Sequence, residues 1–435
     1  MFRRTVPKRL PITIVKLPMP VRPQASYGKQ CARLSRSRKV FHQQKTVSAV
    51  SRREERALPC PSDVDVAPCV CSFDGASLDL DCSSVKDLDD LARVFQAEFP
   101  FPSFTSLAIA DNPQLVGELP GGIFGPVTFQ NITLVRTNLS AVSDTAFTSS
   151  ASRLQVLDLG SNALTSFPFA TLGNYFLLQH LDLKRNKLGR ISDLESSSLE
   201  FLKLDSNPLL ELTANTFADA RYLRALYLND ASLKEVPVGL FDGLNHLQEL
   251  YLMGNQIQTL SSGTFNLNSK SLIILALAGN AISQVEQNAF GTSLSNTVIL
   301  DFRANSLTDL PESVWRPLIA VLGPDSLHID GNSLTCGCDL CWLMQDATLL
   351  SHTTGGKCSS GEYLEDVSTD YCDFFCFRNS ESHYHQDAPG VLKNRGRHIS
   401  LLIRRRRFCV DSTADETSMT WNLYEVLGLK CLSVP

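Results

Sequence analysis

By type and spacing, the residues best suited to chemistry are cysteines. Cys336-x-Cys338-x2-Cys341, followed by Cys358, Cys372 and Cys376, supplies enough thiolates for a tetrahedral zinc site. A second group, Cys60, Cys69, Cys71 and Cys82, lies more than 250 residues earlier, and the stretch between the groups has no cysteine. Even-numbered clusters at both ends of a cysteine-free middle fit structural disulfides better than a metal, and such bridges need an oxidising compartment. Neither a metal nor a thiol redox role is expected. The pairing stays open, with three arrangements for the first group and fifteen for the second.

Carboxylates come next. Asp158 and Asp182 fall at equivalent places 24 residues apart, and two carboxylates about 5 Å apart on neighbouring strands could do acid–base work. No nucleophile motif accompanies them: G-x-S-x-G, H-E-x-x-H, G-x-G-x-x-G and G-x4-G-K-[ST] are all missing, so a solvated acidic patch is the better reading. His383-x-His385 reads as an incidental pair. No flavin or haem motif is found, so the chain is expected to be no enzyme and to need no cofactor.

What must position these residues is a repeat. The frame LxxLxLxxNxL recurs with its asparagine at Asn162, Asn186, Asn207, Asn255 and Asn280, and weaker copies centre on Asn112, Thr137, Ala231, Asn305 and Asn332. The ten copies step by 21 to 27 residues. Alternating Leu-x-Leu is a short strand, and stacking such strands in parallel buries a core that one copy alone could not. The reading is an α/β repeat solenoid: a leucine-rich-repeat horseshoe with a parallel β-sheet on its concave face and cysteine-rich caps at both ends. Each asparagine carries an acceptor and two donors, enough to satisfy backbone groups left open where the chain turns after its strand. Stacked, these side chains form a ladder in which Thr137 and Ala231 are gaps. Aromatics at Phe124, Phe147, Phe217, Phe241, Phe265, Phe290 and Trp315 are expected to fill the convex flank, with Phe169 serving the third copy. The 21-residue step between Asn186 and Asn207 lacks room for an equivalent.

A solenoid needs capped ends, which is where both cysteine groups lie. The chain therefore divides into a basic extension at 1–57, expected to lack structure, a cap at 58–100, repeats at 101–335, a second cap at 336–376 and a tail at 377–435, also expected to lack structure.

Composition agrees with a core-burying chain: 43% of residues are hydrophobic and 20% charged. The net charge of −5 hides +13 on residues 1–56, −21 on 57–376 and +3 beyond. A body so acidic repels phosphate backbones, so nucleic acid is not an expected partner. The basic head and Arg404–Arg407 read as solvated charge runs. No stretch reaches the roughly 18 apolar residues of a membrane span. The opening Pro11–Leu17, interrupted by Lys16, is not expected to act as a secretory signal. The Arg-rich, acid-poor head fits either a mitochondrial presequence or an exon replacing a true signal, and the terminal cysteine groups favour the second, hence a secreted protein.

The outward positions of the strands indicate a binding surface. One column runs Ala108, Thr133, Asp158, Asp182, Lys203, Tyr227, Tyr251, Ala276, Asp301 and His328. His180, Phe201 and Glu249 precede it, and Lys184, Asp205, Asn229, Met253 and Arg303 follow it. Phe201, Lys203, Tyr227, Asn229, Glu249, Tyr251 and Met253 are expected to hold a protein partner, as aromatics inside a polar rim. Asn131-Ile-Thr and Asn138-Leu-Ser are acceptors for N-glycans if the chain is secreted, and a glycan on Asn131 would leave the aromatic region free.

Several stretches resemble the arthropod family of the oplophorus-luciferin 2-monooxygenase non-catalytic subunit: CPSDVDVAPCVCSFDGASLDLDCSSV at 60–85, FQAEFPFPSFTSLAIADNPQL at 95–115, GIFGPVTF at 122–129, SNALTSFPF at 161–169, VWRPL at 314–318 and GNSLTCGCDLCWL at 331–343. The resemblance covers about residues 58–376. It implies a secreted, non-enzymatic partner of a small luciferase that oxidises a coelenterazine-type luciferin, with the chemistry in the other subunit. Cys341 and Cys376 are additional to the family's cap set and are expected to pair with each other. The alternative is an extracellular recognition protein for adhesion or innate defence.

Overall fold

The computed structural model describes residues 59–192, 194–267, 269–291, 294–370, 372 and 376. The basic head, the tail with His383, His385 and Arg404–Arg407, and Cys31, Cys409 and Cys431 lie outside these residues.

One sheet of thirteen strands runs through the described body, with strands in chain order from edge to edge. It opens on an antiparallel hairpin of Val70–Phe73 and Leu78–Asp81, after which every pairing is parallel. Most repeat strands are only three residues long, among them Val156–Asp158, His180–Asp182, Phe201–Lys203, Ala225–Tyr227, Glu249–Tyr251 and Ile274–Ala276. Period-two alternation explains their polarity: the central leucines Leu157, Leu181, Leu202, Leu226, Leu250 and Leu275 are buried while their neighbours face the concave side. Each inward leucine contributes about 1.5–3 kcal/mol on burial.

After each strand the chain must turn sharply towards the convex side, and the turn has a fixed form. The residue just before every ladder position has left-handed backbone, from Asp111 at φ 55° to Ala304 at φ 52° and Gly331 at φ 74°. Only three of these ten residues are glycine, at 254, 279 and 331. The amides bridge coils: that of Ser206 donates to the Asn229 carbonyl at 2.8 Å and that of Ala304 to the Asp330 carbonyl at 2.7 Å.

Behind the turn lies the ladder. The Nδ2 of Asn280 donates to the carbonyls of Leu252 and Leu277, both at 2.9 Å, and its Oδ1 accepts from the Ile257 amide. Asn162, Asn186, Asn207, Asn255, Asn305 and Asn332 make the same pair of carbonyl contacts. Asn112 starts the ladder against the cap, donating to the Ser83 and Val85 carbonyls. At both gaps the following asparagine takes an extra load. Asn162 accepts from the amide and the hydroxyl of Thr137, and Asn255 accepts from the amides of Ala231 and Leu233, both at 3.0 Å.

On the convex flank Phe217, Phe241, Phe265 and Phe290 stack in sequence at 5.5–6.5 Å, and Phe302 links Phe290 to Trp315. Phe124 and Phe147 form a separate stack at 6.0 Å. Phe169, in the third repeat, packs edge-on against Phe167, and the short repeat that follows supplies no phenylalanine to the convex column. There Ser196, also buried, closes the bend by accepting from the Leu199 amide at 3.1 Å.

The first end is covered by the hairpin and by the helix Leu88–Val94, whose cap residue Asp87 accepts from the Asp90 amide. Cys60 is bonded to Cys71 and Cys69 to Cys82. At the far end the helix Glu312–Val321 buries Trp315, Leu318 and Ile319. Trp342 closes over it, its Nε1 donating to the Leu310 carbonyl at 3.0 Å while Arg316 lies over its ring. Here the pairing differs from the sequence-based expectation. Cys336 joins Cys358, Cys338 joins Cys376, and Cys341 joins Cys372. Cys341 and Cys376 sit side by side, their sulfurs 3.5 Å apart, but each is bonded elsewhere. Cys341 opens the short helix Cys341–Met344, and its Cα lies 5.6 Å from that of Cys372, within bridging reach.

Candidate functional site

The seven residues singled out on the concave side, Phe201, Lys203, Tyr227, Asn229, Glu249, Tyr251 and Met253, are all half-buried and lie on three consecutive strands or in the turns after them. In-register pairing sets Tyr227 beside Tyr251 and Lys203 beside Tyr227. The tyrosine rings stack at 4.7 Å with a 10° tilt, and both hydroxyls donate to Oε2 of Glu249 at 3.2 Å. Ala225, in register between Phe201 and Glu249, has too small a side chain to block Tyr227 from leaning across to that carboxylate. The Lys203 ammonium lies 5.5 Å from the centre of the Tyr227 ring. One strand earlier, His180 stacks on Phe201 at 4.4 Å.

Burial, then the charge of Glu249, hold the Tyr227 phenol up at about 12, and the same causes raise Tyr251. Both phenols are therefore neutral donors across the physiological range.

Asn229 bonds to the coils on both sides of it. Its Nδ2 donates to Oδ1 of Asp205 at 2.8 Å, and its Oδ1 accepts from the Met253 amide at 2.8 Å. Asp205 also accepts from the Asn229 amide. Asp205, Asn229 and the Met253 backbone thus form a second cross-coil chain on the concave side, which the sequence reading missed. Its only trace in sequence is a run of polar side chains just after the strands, a pattern that surface residues also produce.

Asp158 and Asp182 pair across adjacent strands, and each oxygen set has a local task. Asp158 accepts from the Gly160 amide, while Asp182 accepts from the Lys184 amide and holds the Lys184 ammonium at 2.7 Å. Burial, aided by the charge of Asp182, pushes the Asp158 carboxyl up; burial also raises Asp205. At Asp301 burial acts upward too, but the hydrogen bonds from Arg303 outweigh it and hold the carboxyl low. No group of three or more His, Cys, Asp or Glu suited to a metal occurs among the described residues.

Asn131 lies half-buried in the strand Thr128–Val135, and Asn138 is exposed, with its Nδ2 donating to the Pro113 carbonyl at 2.8 Å.

Residues 128–188, 197–257 and 221–269 match the leucine rich repeat family model. The oplophorus-luciferin 2-monooxygenase non-catalytic subunit of Oplophorus gracilirostris is 32% identical over 314 residues, which are 72% of this chain and 86% of that protein. The chain belongs to the family of that subunit. The relationship is to a non-catalytic protein, and the expectation that the chain is no enzyme stands on it. The chain is also similar to Tsukushi of Rattus norvegicus, 33% identical over 144 residues, which are 32% of this chain and 40% of that protein. Among solved structures, a chain of the octameric complex of latrophilin 3, Unc5D and FLRT2 aligns with TM-score 0.54 and 18% identity, over 73% of this chain and all of that one. That likeness concerns the fold. No helix among the described residues is long and apolar enough to cross a membrane.

Proposed function

We propose that this member of the luciferase-subunit family is a secreted, non-catalytic binding protein whose concave face holds or stabilises a small catalytic luciferase subunit. The observation that carries the reading is the set of half-buried Phe201, Tyr227, Tyr251 and Met253 on three neighbouring strands and the turn after the last, among the polar Lys203, Glu249 and Asp205. An aromatic centre within a polar rim suits a protein partner, and the rigid tyrosine stack lowers the entropy lost on docking. Five disulfides among the described residues fit an extracellular site. N-glycans on Asn131 and Asn138 would lie on the strand at 128–135 and just after it, several coils away from the patch.

The test is affinity capture from native tissue with the full chain and with a Tyr227→Ala/Tyr251→Ala variant. A small luciferase should be retained by the first and weakened at least about tenfold in the second, with stability reduced by no more than about 1–2 kcal/mol from the lost ring contacts. Equal retention by both would remove the concave face from the proposal. Retention of a cell-surface or microbial ligand in place of a luciferase would favour the recognition role in adhesion or defence.

A further inference from the structure

We infer that Tyr227, Tyr251 and Glu249 form a receptor for one positively charged side chain, an arginine or a lysine, presented by the protein partner. The inference rests on the concave-face reading above and specifies its chemistry.

The two phenols converge on a single oxygen of Glu249, Oε2, each at 3.2 Å. Among the described residues no donor bonds the other oxygen, Oε1. An ionised carboxylate accepts about four hydrogen bonds, so Oε1 retains its full capacity. The phenols also fix the direction of the carboxylate, so a ligand need not order it.

The charge is not neutralised from within. The residues in register with Glu249 on either side are Ala225 and Ile274, neither of which carries charge. Among the described residues no basic side chain is paired with Glu249, and Lys203, Arg224 and Arg303 each pair with another carboxylate. Lys203 lies 4.0 Å from Asp182, Arg224 3.1 Å from Glu200, and Arg303 2.6 Å from Asp301. Glu249 is thus a half-buried, oriented anion beside two aromatic rings, on a body whose described span is strongly acidic.

A cation suits both parts of this arrangement. Its N–H groups can donate to Oε1 in a charge-assisted bond, and its charge can rest against a tyrosine ring within about 6 Å. The chain already uses the second contact, with Lys203 over Tyr227 at 5.5 Å. A guanidinium matches best, because it is planar and can stack on a ring while its edge donates.

The probe is N-acetyl-arginine amide, titrated into the full chain carrying 13C-labelled tyrosine, with ring shifts as the readout. N-acetyl-lysine amide and the neutral isostere N-acetyl-citrulline amide are run in parallel. Saturable shifts of the Tyr227 and Tyr251 rings are expected with the two cations and not with citrulline. Glu249→Gln, which keeps an acceptor for both phenols, should weaken the arginine response at least about tenfold, the loss expected for one charge-assisted bond. Glu118→Gln, a distant exposed carboxylate, should leave it unchanged and so removes general attraction to an acidic body as the cause. Equal binding of citrulline, unmoved rings, or a Glu249→Gln response like that of the unaltered chain would each overturn the inference. The two levels separate in the capture experiment. Partner retention that depends on the tyrosines but not on Glu249 leaves the concave face standing and removes the cation receptor. Retention insensitive to the tyrosines removes the concave face, whatever the probe does.

Discussion

The side-chain carbonyl of Asn255 accepts from the backbone amide of Ala231, one coil away, at 3.0 Å. In most other rungs the equivalent oxygen serves one amide two residues past the ladder position, as Asn280 does for Ile257 and Asn305 for Ile282. Because position 231 has no polar side chain, Asn255 serves both Ala231 and Leu233. The Leu209 amide, which a residue-231 asparagine would have met, turns instead to the Ala231 carbonyl at 3.1 Å.

The ladder should therefore be unequal in strength. Asn255→Ala leaves the buried amides of Ala231 and Leu233 and the Leu228 carbonyl short of partners, the Leu252 carbonyl keeping Asn280, and is expected to cost about 3 kcal/mol or more, against about 1–2 kcal/mol for Asn280→Ala, which orphans the Ile257 amide alone. Ala231→Asn, placed between two rungs that already accommodate asparagine, should stabilise by about 1 kcal/mol. Denaturant unfolding of the three variants measures the order, and a larger loss for Asn280→Ala than for Asn255→Ala would contradict it.

The turns store strain where a side chain occupies left-handed backbone. Ala304, at φ 52°, lacks a polar side chain to offset that cost, so Ala304→Gly is expected to raise stability by up to about 1 kcal/mol. Gly254→Ala is the reverse case: φ is 67°, and a Cβ there would stand 2.1 Å from Oδ1 of Asp230. It should lower stability by about 1 kcal/mol or more. Midpoints of thermal unfolding read both signs.

The far cap should yield a definite fragment pattern. Proteolysis without reduction, followed by mass analysis, is expected to link the peptide of Cys338 to that of Cys376 and the peptide of Cys341 to that of Cys372. A Cys341–Cys376 fragment would refute this connectivity. Replacing both Cys69 and Cys82 by serine should cost about 2–5 kcal/mol, seen as a lower unfolding midpoint.

Two concave carboxylates should respond to pH in opposite directions. Burial raises the folded-state value of Asp205 above its unfolded one, so its ionisation opposes folding; its contribution becomes more favourable as pH falls through the folded value. Asp301 is held low, so its contribution is present above the unfolded value and is lost as pH falls through the folded one. At neutral pH Asp205→Asn, which still accepts from Asn229, is expected to be neutral or stabilising. Asp301→Asn, which loses the charge facing a half-exposed Arg303, should cost about 1–2 kcal/mol and less in acid. Stability measured across the acid range for both variants checks the two signs.

The sequence by itself determined the coil. Leucines at period two, recurring every 21 to 27 residues with an asparagine at a constant offset, allow one way to bury the leucines and satisfy the turn, because both requirements are local to a repeat and its immediate neighbours. For the same reason it was possible to list the concave columns by counting: register between parallel coils follows from repeat length, and Tyr227 falls beside Tyr251. Only the tertiary structure decided what those side chains do on arrival. That Tyr227 crosses to Glu249, that Asn229 turns inward to Asp205, and that Cys341 bonds Cys372 while lying against Cys376 depend on side-chain direction across coils or within a compact cap. Spacing carries no information on direction, since residues one repeat apart can meet, diverge or bond a third partner at the same separation. The left-handed residue before each rung was hidden for a related reason. Most of those positions are not glycine, so the backbone conformation is imposed by hydrogen bonds between successive coils and leaves almost no mark on residue type.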